Sequence, residues 1–68
     1  MATILSSDVI FATVRQRGQV MTTLRLSGIT SFGDVVASVG RLFKGITTID
    51  LRNGTQGWNL RHTVMLTA

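Results

Sequence analysis

Ser31-Phe32-Gly33-Asp34-Val35-Val36-Ala37-Ser38-Val39-Gly40-Arg41-Leu42-Phe43-Lys44-Gly45 is the stretch whose reading decides the fold. Phe32, Val35, Val36, Val39, Leu42 and Phe43 recur at i, i+3, i+4 and i+7, the spacing of one helix face. No other segment has that period; the rest of the chain alternates as strands do. One helix, expected over about 31–44, must therefore cover one sheet. Ser31 can act as N-cap, its hydroxyl accepting from the amide of Asp34. Asp34 three residues on completes a weak capping box and suits the positive end of the helix dipole. Arg41 and Lys44 suit the negative end, and Gly45 can take the left-handed position just past the end. Gly33, Ala37 and Gly40 form a stripe of small residues. It points to close packing of helix on sheet, or to a helix–helix contact between subunits.

Outward from the helix lie two hairpins, expected over about 8–27 and 46–67. Residues 1–7, small and polar apart from Met1, Ile4 and Leu5, could extend the first strand or fray. Asp8 to Arg15 alternates and is rich in β-formers, and Gln19 to Ser27 follows as a second strand. Between them, Gln16-Arg17-Gly18 reads as a three-residue loop with Gly18 left-handed and a bulge. A two-residue turn would force Arg17 to positive φ. The three-residue loop sets Arg15 against Gln19, Thr13 against Met21 and Phe11 against Thr23. Ile10, Ala12, Val14, Val20, Thr22, Leu24 and Leu26 then share an apolar face that meets the helix. A third strand spans Ile46 to Arg52. Asn53-Gly54-Thr55-Gln56-Gly57 is a strong turn signal whose backbone amides could also present to a ligand. The last strand, Trp58 to Thr67, turns Trp58, Leu60, His62, Val64 and Leu66 inward.

The order strand, strand, helix, strand, strand makes a single α+β domain over 1–68: one helix packed on a four-stranded mixed sheet. The closure expected puts the first and last strands in the centre, parallel, in the order 2-1-4-3. In element order and length this resembles the β-grasp layout of protein G-type immunoglobulin-binding domains. The resemblance implies a fold and no function.

Six Arg and one Lys face three Asp and no Glu, for a net charge of +4. That balance favours acidic partners, nucleic acid first, but would also serve plain solubility. With no cysteine there is no disulfide and no thiolate metal site. No apolar run reaches the ~18 residues of a membrane span, and the first residues lack a signal-peptide pattern. Cytoplasm is the default expectation. Asp8, Asp34 and Asp50 are scattered, and His62, the sole histidine, reads as a structural residue at the core's edge. Trp58 would cap the open end of the core. No catalytic pairing, metal set or phosphate loop is present, so no enzyme, cofactor or small-molecule substrate is expected.

The outer sheet face is the candidate site: Val9, Phe11, Arg15, Met21, Arg25, Arg52, Arg61 and Met65. Its expected pattern is apolar in the middle with arginines at the rim, which suits self-association, most simply a homodimer. Edge strands 2 and 3 offer a second route to assembly. The alternative is nucleic-acid binding, with arginines on phosphates and Phe11 stacking on a base.

Overall fold

A computed structural model describes residues 3–67. Its elements are β1 (Ile10–Gln16), β2 (Gln19–Leu26), α1 (Phe32–Gly40), β3 (Gly45–Asn53) and β4 (Trp58–Leu66). They build an α+β fold with one helix on one four-stranded sheet. The sheet order is β2-β1-β3-β4, and every neighbouring pair is antiparallel. Both the expected order 2-1-4-3 and its parallel central pair are therefore corrected, and the order departs from that of the β-grasp.

The reason for the exchange of β3 and β4 is non-local. β3 buries Thr47, Ile49, Leu51 and Asn53, whereas the matching residues of β4 are Val64, His62, Leu60 and Trp58, of which His62 and Leu60 are exposed. Covered on both sides, the central position suits Ile49 and Leu51. At the edge the imidazole keeps its water. Asp50, the single carboxylate of the outer face, sits in β3 between arginines of β1 and β4, a position open to it only if β3 is central. Met1, Ala2 and Ala68 lie outside the described residues, so the reading of residues 1–7 is tested only from Thr3. Leu5 to Asp8 forms a turn closed by Asp8 N donating to Leu5 O at 2.9 Å, rather than an extension of β1.

The first hairpin corrects the expected register. Gln16 pairs with Gln19 and Arg15 with Val20, so the loop is the two-residue Arg17-Gly18 turn. Both loop residues have positive φ, 54° at Arg17 and 76° at Gly18. A non-glycine residue there costs roughly 1–2 kcal/mol. Between Arg15 and Val14 the register shifts, leaving Met21 as an extra residue on β2. That bulge restores the inner face: Val14 meets Thr22, Ala12 meets Leu24 and Ile10 meets Leu26. Only Val20, beyond the bulge, moves to the outer face beside Arg15.

The helix starts as read. Ser31 is extended (φ −147°, ψ 160°), and its Oγ accepts from Asp34 N at 3.2 Å. The Asp34 carboxylate reaches back to Thr30, accepting from its amide at 3.1 Å and its hydroxyl at 3.3 Å. These bonds, the Thr30 amide foremost, hold Asp34 below the usual carboxylate range. The helix ends earlier than expected, at Gly40. Leu42 N and Phe43 N both donate to Val39 O at 3.0 Å, which turns Phe43 back onto the core and leaves Leu42 62% exposed. Lys44 Nζ donates to the freed Gly40 carbonyl. Gly45 is not a helix cap: at φ +93° it opens β3. Of the small-residue stripe only Gly40 approaches the sheet, near Leu66; Gly33 and Ala37 are exposed.

The core is Ile10, Ala12 and Val14 of β1, Ile49 and Leu51 of β3, Val35 and Val39 of α1, with Ile29 and Leu66. A nine-residue helix is about 13.5 Å long. It seals the central strands and leaves the flanks part-covered: Thr22, Leu24 and Leu26 of β2 are half-buried, and Leu60 and His62 of β4 are exposed. His62 is thus on the inner face as read, but it is not buried. Its ring meets Phe32 edge-on, with centroids 4.8 Å apart. Among the described residues no helix is long and apolar enough to cross a membrane.

Candidate interaction surface

The strand pairings arrange the outer face in cross-strand rows. One row is Arg25, Phe11, Arg52 and Asn59; the next is Thr23, Thr13, Asp50 and Arg61. A third is Val20, Arg15, Thr48 and Thr63, and beyond it Ile46 faces Met65. The middle is polar. Asp50 Oδ2 accepts from Arg15 Nε at 2.7 Å, and its Oδ1 accepts from Arg61 Nε at 2.6 Å. Hydrogen bonds from Arg61 and then Arg15 hold the Asp50 carboxyl below its ordinary range, and Asp50 in turn raises Arg61. Threonine pairs flank this triad, Thr13 with Thr23 at 3.2 Å and Thr48 with Thr63 at 3.0 Å. The centre is therefore polar and charged rather than apolar, while one end keeps Arg25 and Arg52 and the other carries Val20, Met21, Ile46 and Met65.

The eight residues read as one site fall into three groups. Arg15 and Arg61 share Asp50. Phe11 lies half-buried between Arg25 and Arg52, with the Arg52 guanidinium carbon 5.8 Å from its ring centroid. Val9 belongs to the neighbouring turn: its amide donates to Thr55 Oγ1 at 2.8 Å, and its carbonyl accepts from Gly54 at 2.9 Å. Met21 and Met65 sit at the other end of the sheet. Met21 shares a depression with Ile46, which is 66% exposed and pairs with Met65. Ile46 was not among the candidates. Its outward alternation with Thr48 and Asp50 was the available signal.

The Asn53–Gly57 turn offers no amides to a ligand, because the protein uses them itself. Asn53 Oδ1 accepts from Thr55 N at 3.0 Å and Gln56 N at 2.8 Å. Gly54 N goes to Val9 O, and Gly57 N to Asn53 O at 2.8 Å. Asn53 Nδ2, fully buried, donates to Asp8 Oδ2 at 2.8 Å, and Gln56 Nε2 donates to the same oxygen at 2.7 Å. Leu5 N adds a third bond at 3.0 Å. That last bond is the main cause of the lowered Asp8 carboxyl, followed by Asn53. Asp8 is thus a structural carboxylate, a role that scattered spacing could not disclose.

The sheet has two edges, β2 and β4; β3, expected at an edge, is central. β2 is interrupted by its bulge at Met21. β4 runs nine residues in unbroken register with β3, from Trp58 to Leu66. Among the described residues no strand pairs with its other side. It contains no proline and no lysine, and its inner face is only partly covered, with Leu60 42% exposed. Trp58 is half-buried at the open end of the core, beside an apolar hollow of about 460 Å³ that Leu5, Phe32, Leu51 and Leu60 also line. Its indole Nε1 is buried without a partner among the described residues. Comparison with known protein families, with curated proteins and with solved structures finds no match to this chain.

Proposed function

We propose that this chain is a small non-enzymatic assembly module that pairs with a second copy of itself through the open edge of β4. One observation carries the reading: β4 is a nine-residue edge strand in unbroken register with β3, with no bulge and no proline, and its one arginine, Arg61, is drawn to Asp50 across the sheet. Such an edge is a row of unpaired amides and carbonyls, a template for another strand. Adding a copy would join two sheets into one. It would also set the exposed inner-face side chain of Leu60 beside inner-face side chains of the second copy. The outer-face route is less well supported, because the polar triad and threonine pairs occupy the middle of that face. Sedimentation equilibrium at high micromolar concentration should give the mass of a dimer, and Leu60→Lys should return it to a monomer. A monomeric wild-type chain would refute the proposal.

A second reading, nucleic-acid binding, keeps one specific support, the row Arg25–Phe11–Arg52. With Arg15 and Arg61 both engaged by Asp50, two guanidiniums remain in that row for phosphates. Log affinity for duplex DNA against log salt should then slope at about −2. Absence of any binding at low salt would remove this reading.

A further inference from the structure

We infer that the β4 strands of two copies pair antiparallel about a two-fold axis through His62, so that Leu60 of one copy faces Val64 of the other. This rests on the self-association proposed above and specifies its register.

Alternation of the pleat limits the choices. Side chains opposite each other must share a face, so the axis must pass through a residue that meets its own copy. An axis at His62 pairs the whole strand, 58–66, with itself. An axis at Arg61 pairs only 58–64, at Thr63 only 60–66, and at Leu60 only 58–62. The axis at His62 therefore satisfies the most backbone groups.

Side chains favour the same register. On the inner face the exposed Leu60 meets the half-buried Val64 of the second copy, an apolar pair repeated across the axis, while Trp58 comes opposite Leu66, which its own core already buries. Such pairs are the unit of sheet stabilisation. On the outer face Arg61 meets Thr63 of the second copy rather than another arginine. Asp50 lies directly across from Arg61 on β3 and draws the guanidinium back over the sheet, away from the open edge. The triad thus clears the edge of charge. At the axis His62 meets its own copy, with Phe32 already edge-on to the ring at 4.8 Å. An axis perpendicular to the sheet keeps both helices on the same side. The two Phe32 rings would then flank the two imidazoles and close the gap that α1 leaves over β4.

The chain has no cysteine, so single cysteines report this geometry without background. Leu60→Cys, Arg61→Cys, His62→Cys, Thr63→Cys and Val64→Cys would be oxidised separately, and each reduced protein sedimented in parallel. Directly opposed residues have Cα atoms about 4.5–5.5 Å apart, within disulfide reach. Leu60 and its copy would be offset by four residues, roughly 13 Å along the strand. His62→Cys should therefore cross-link on the order of tenfold faster than the other single variants. Leu60→Cys mixed with Val64→Cys should give a heterodimer, although each alone cross-links poorly. A sedimenting dimer that cross-links fastest at Arg61 or Thr63 would overturn the register but keep the β4 interface. A dimer in which no β4 cysteine cross-links would overturn both. A monomer would overturn the self-association on which the register depends.

Discussion

The two hairpins solve the same closure problem in opposite ways. β1 and β2 join through a tight turn with Arg17 at positive φ, and a bulge at Met21 then repairs the alternation. β3 and β4 join through a longer turn in which the side chains of Asn53, Thr55 and Gln56 join backbone groups in fixing the chain, tied to Asp8. That hairpin needs no repair, and β4 stays in register to its end. The difference has a consequence at the sheet edges. The device that corrects the first hairpin also twists and interrupts its outer strand, whereas the well-made second hairpin leaves a straight edge exposed.

Placing a lysine on each edge tests this contrast most strongly. Leu60→Lys on β4 should weaken dimerisation on the order of a hundredfold or more, because pairing would bury an ammonium without a partner. Val20→Lys on β2 should leave the sedimentation mass unchanged. Deleting Met21 sharpens the comparison. It leaves Arg15 opposite Val20 and Val14 opposite Thr22, so the faces survive while the bulge disappears. The variant should fold and sediment as species larger than a dimer, because β2 then offers a second straight edge. An unchanged mass would show that the bulge does not protect β2.

The turns differ in what they risk. Asn53→Ala strips three hydrogen bonds from a buried site and should cost about 1–3 kcal/mol in denaturant unfolding. Gly18→Ala, at φ +76°, should cost about 1 kcal/mol through backbone strain alone.

The smallest effect expected is the response to acid. Asp8, Asp34 and Asp50 all have carboxyls lowered by hydrogen bonds in the folded chain. Each binds its proton more tightly when unfolded. The stability they contribute is therefore complete above the ordinary carboxylate value of about 4 and is lost as pH falls through the lowered folded values. Asp50→Asn should flatten part of that acid limb in unfolding measured from pH 7 downward. Its partners are partly exposed, so the change should be small.

Much of the fold was legible because it is local. The helix face, the Ser31 cap and the inward alternation of Ile10, Ala12 and Val14 depend on residues a few positions apart. The candidate surface was legible only as membership of a face. That Arg25 and Arg52 flank Phe11, while Arg15 and Arg61 share Asp50, depends on which strands lie side by side. The Arg17-Gly18 turn departs from the three-residue loop expected because Arg is a poor left-handed residue, and the strain is borne by the pairing on either side.

The sequence by itself determined one helix, four strands, their order along the chain and most of the face each strand buries, because periodicity writes burial into neighbouring residues. Which strand lies beside β1 was decided by the tertiary structure alone. β3 and β4 carry similar apolar alternation, and His62 on the inner face of β4 is a single local sign too weak to rank them. The choice rests on contacts between residues far apart in the chain: Asp50 between Arg15 and Arg61, and Asn53 reaching Asp8. That choice put β4 at the edge, and with it the surface proposed here to bind a second copy.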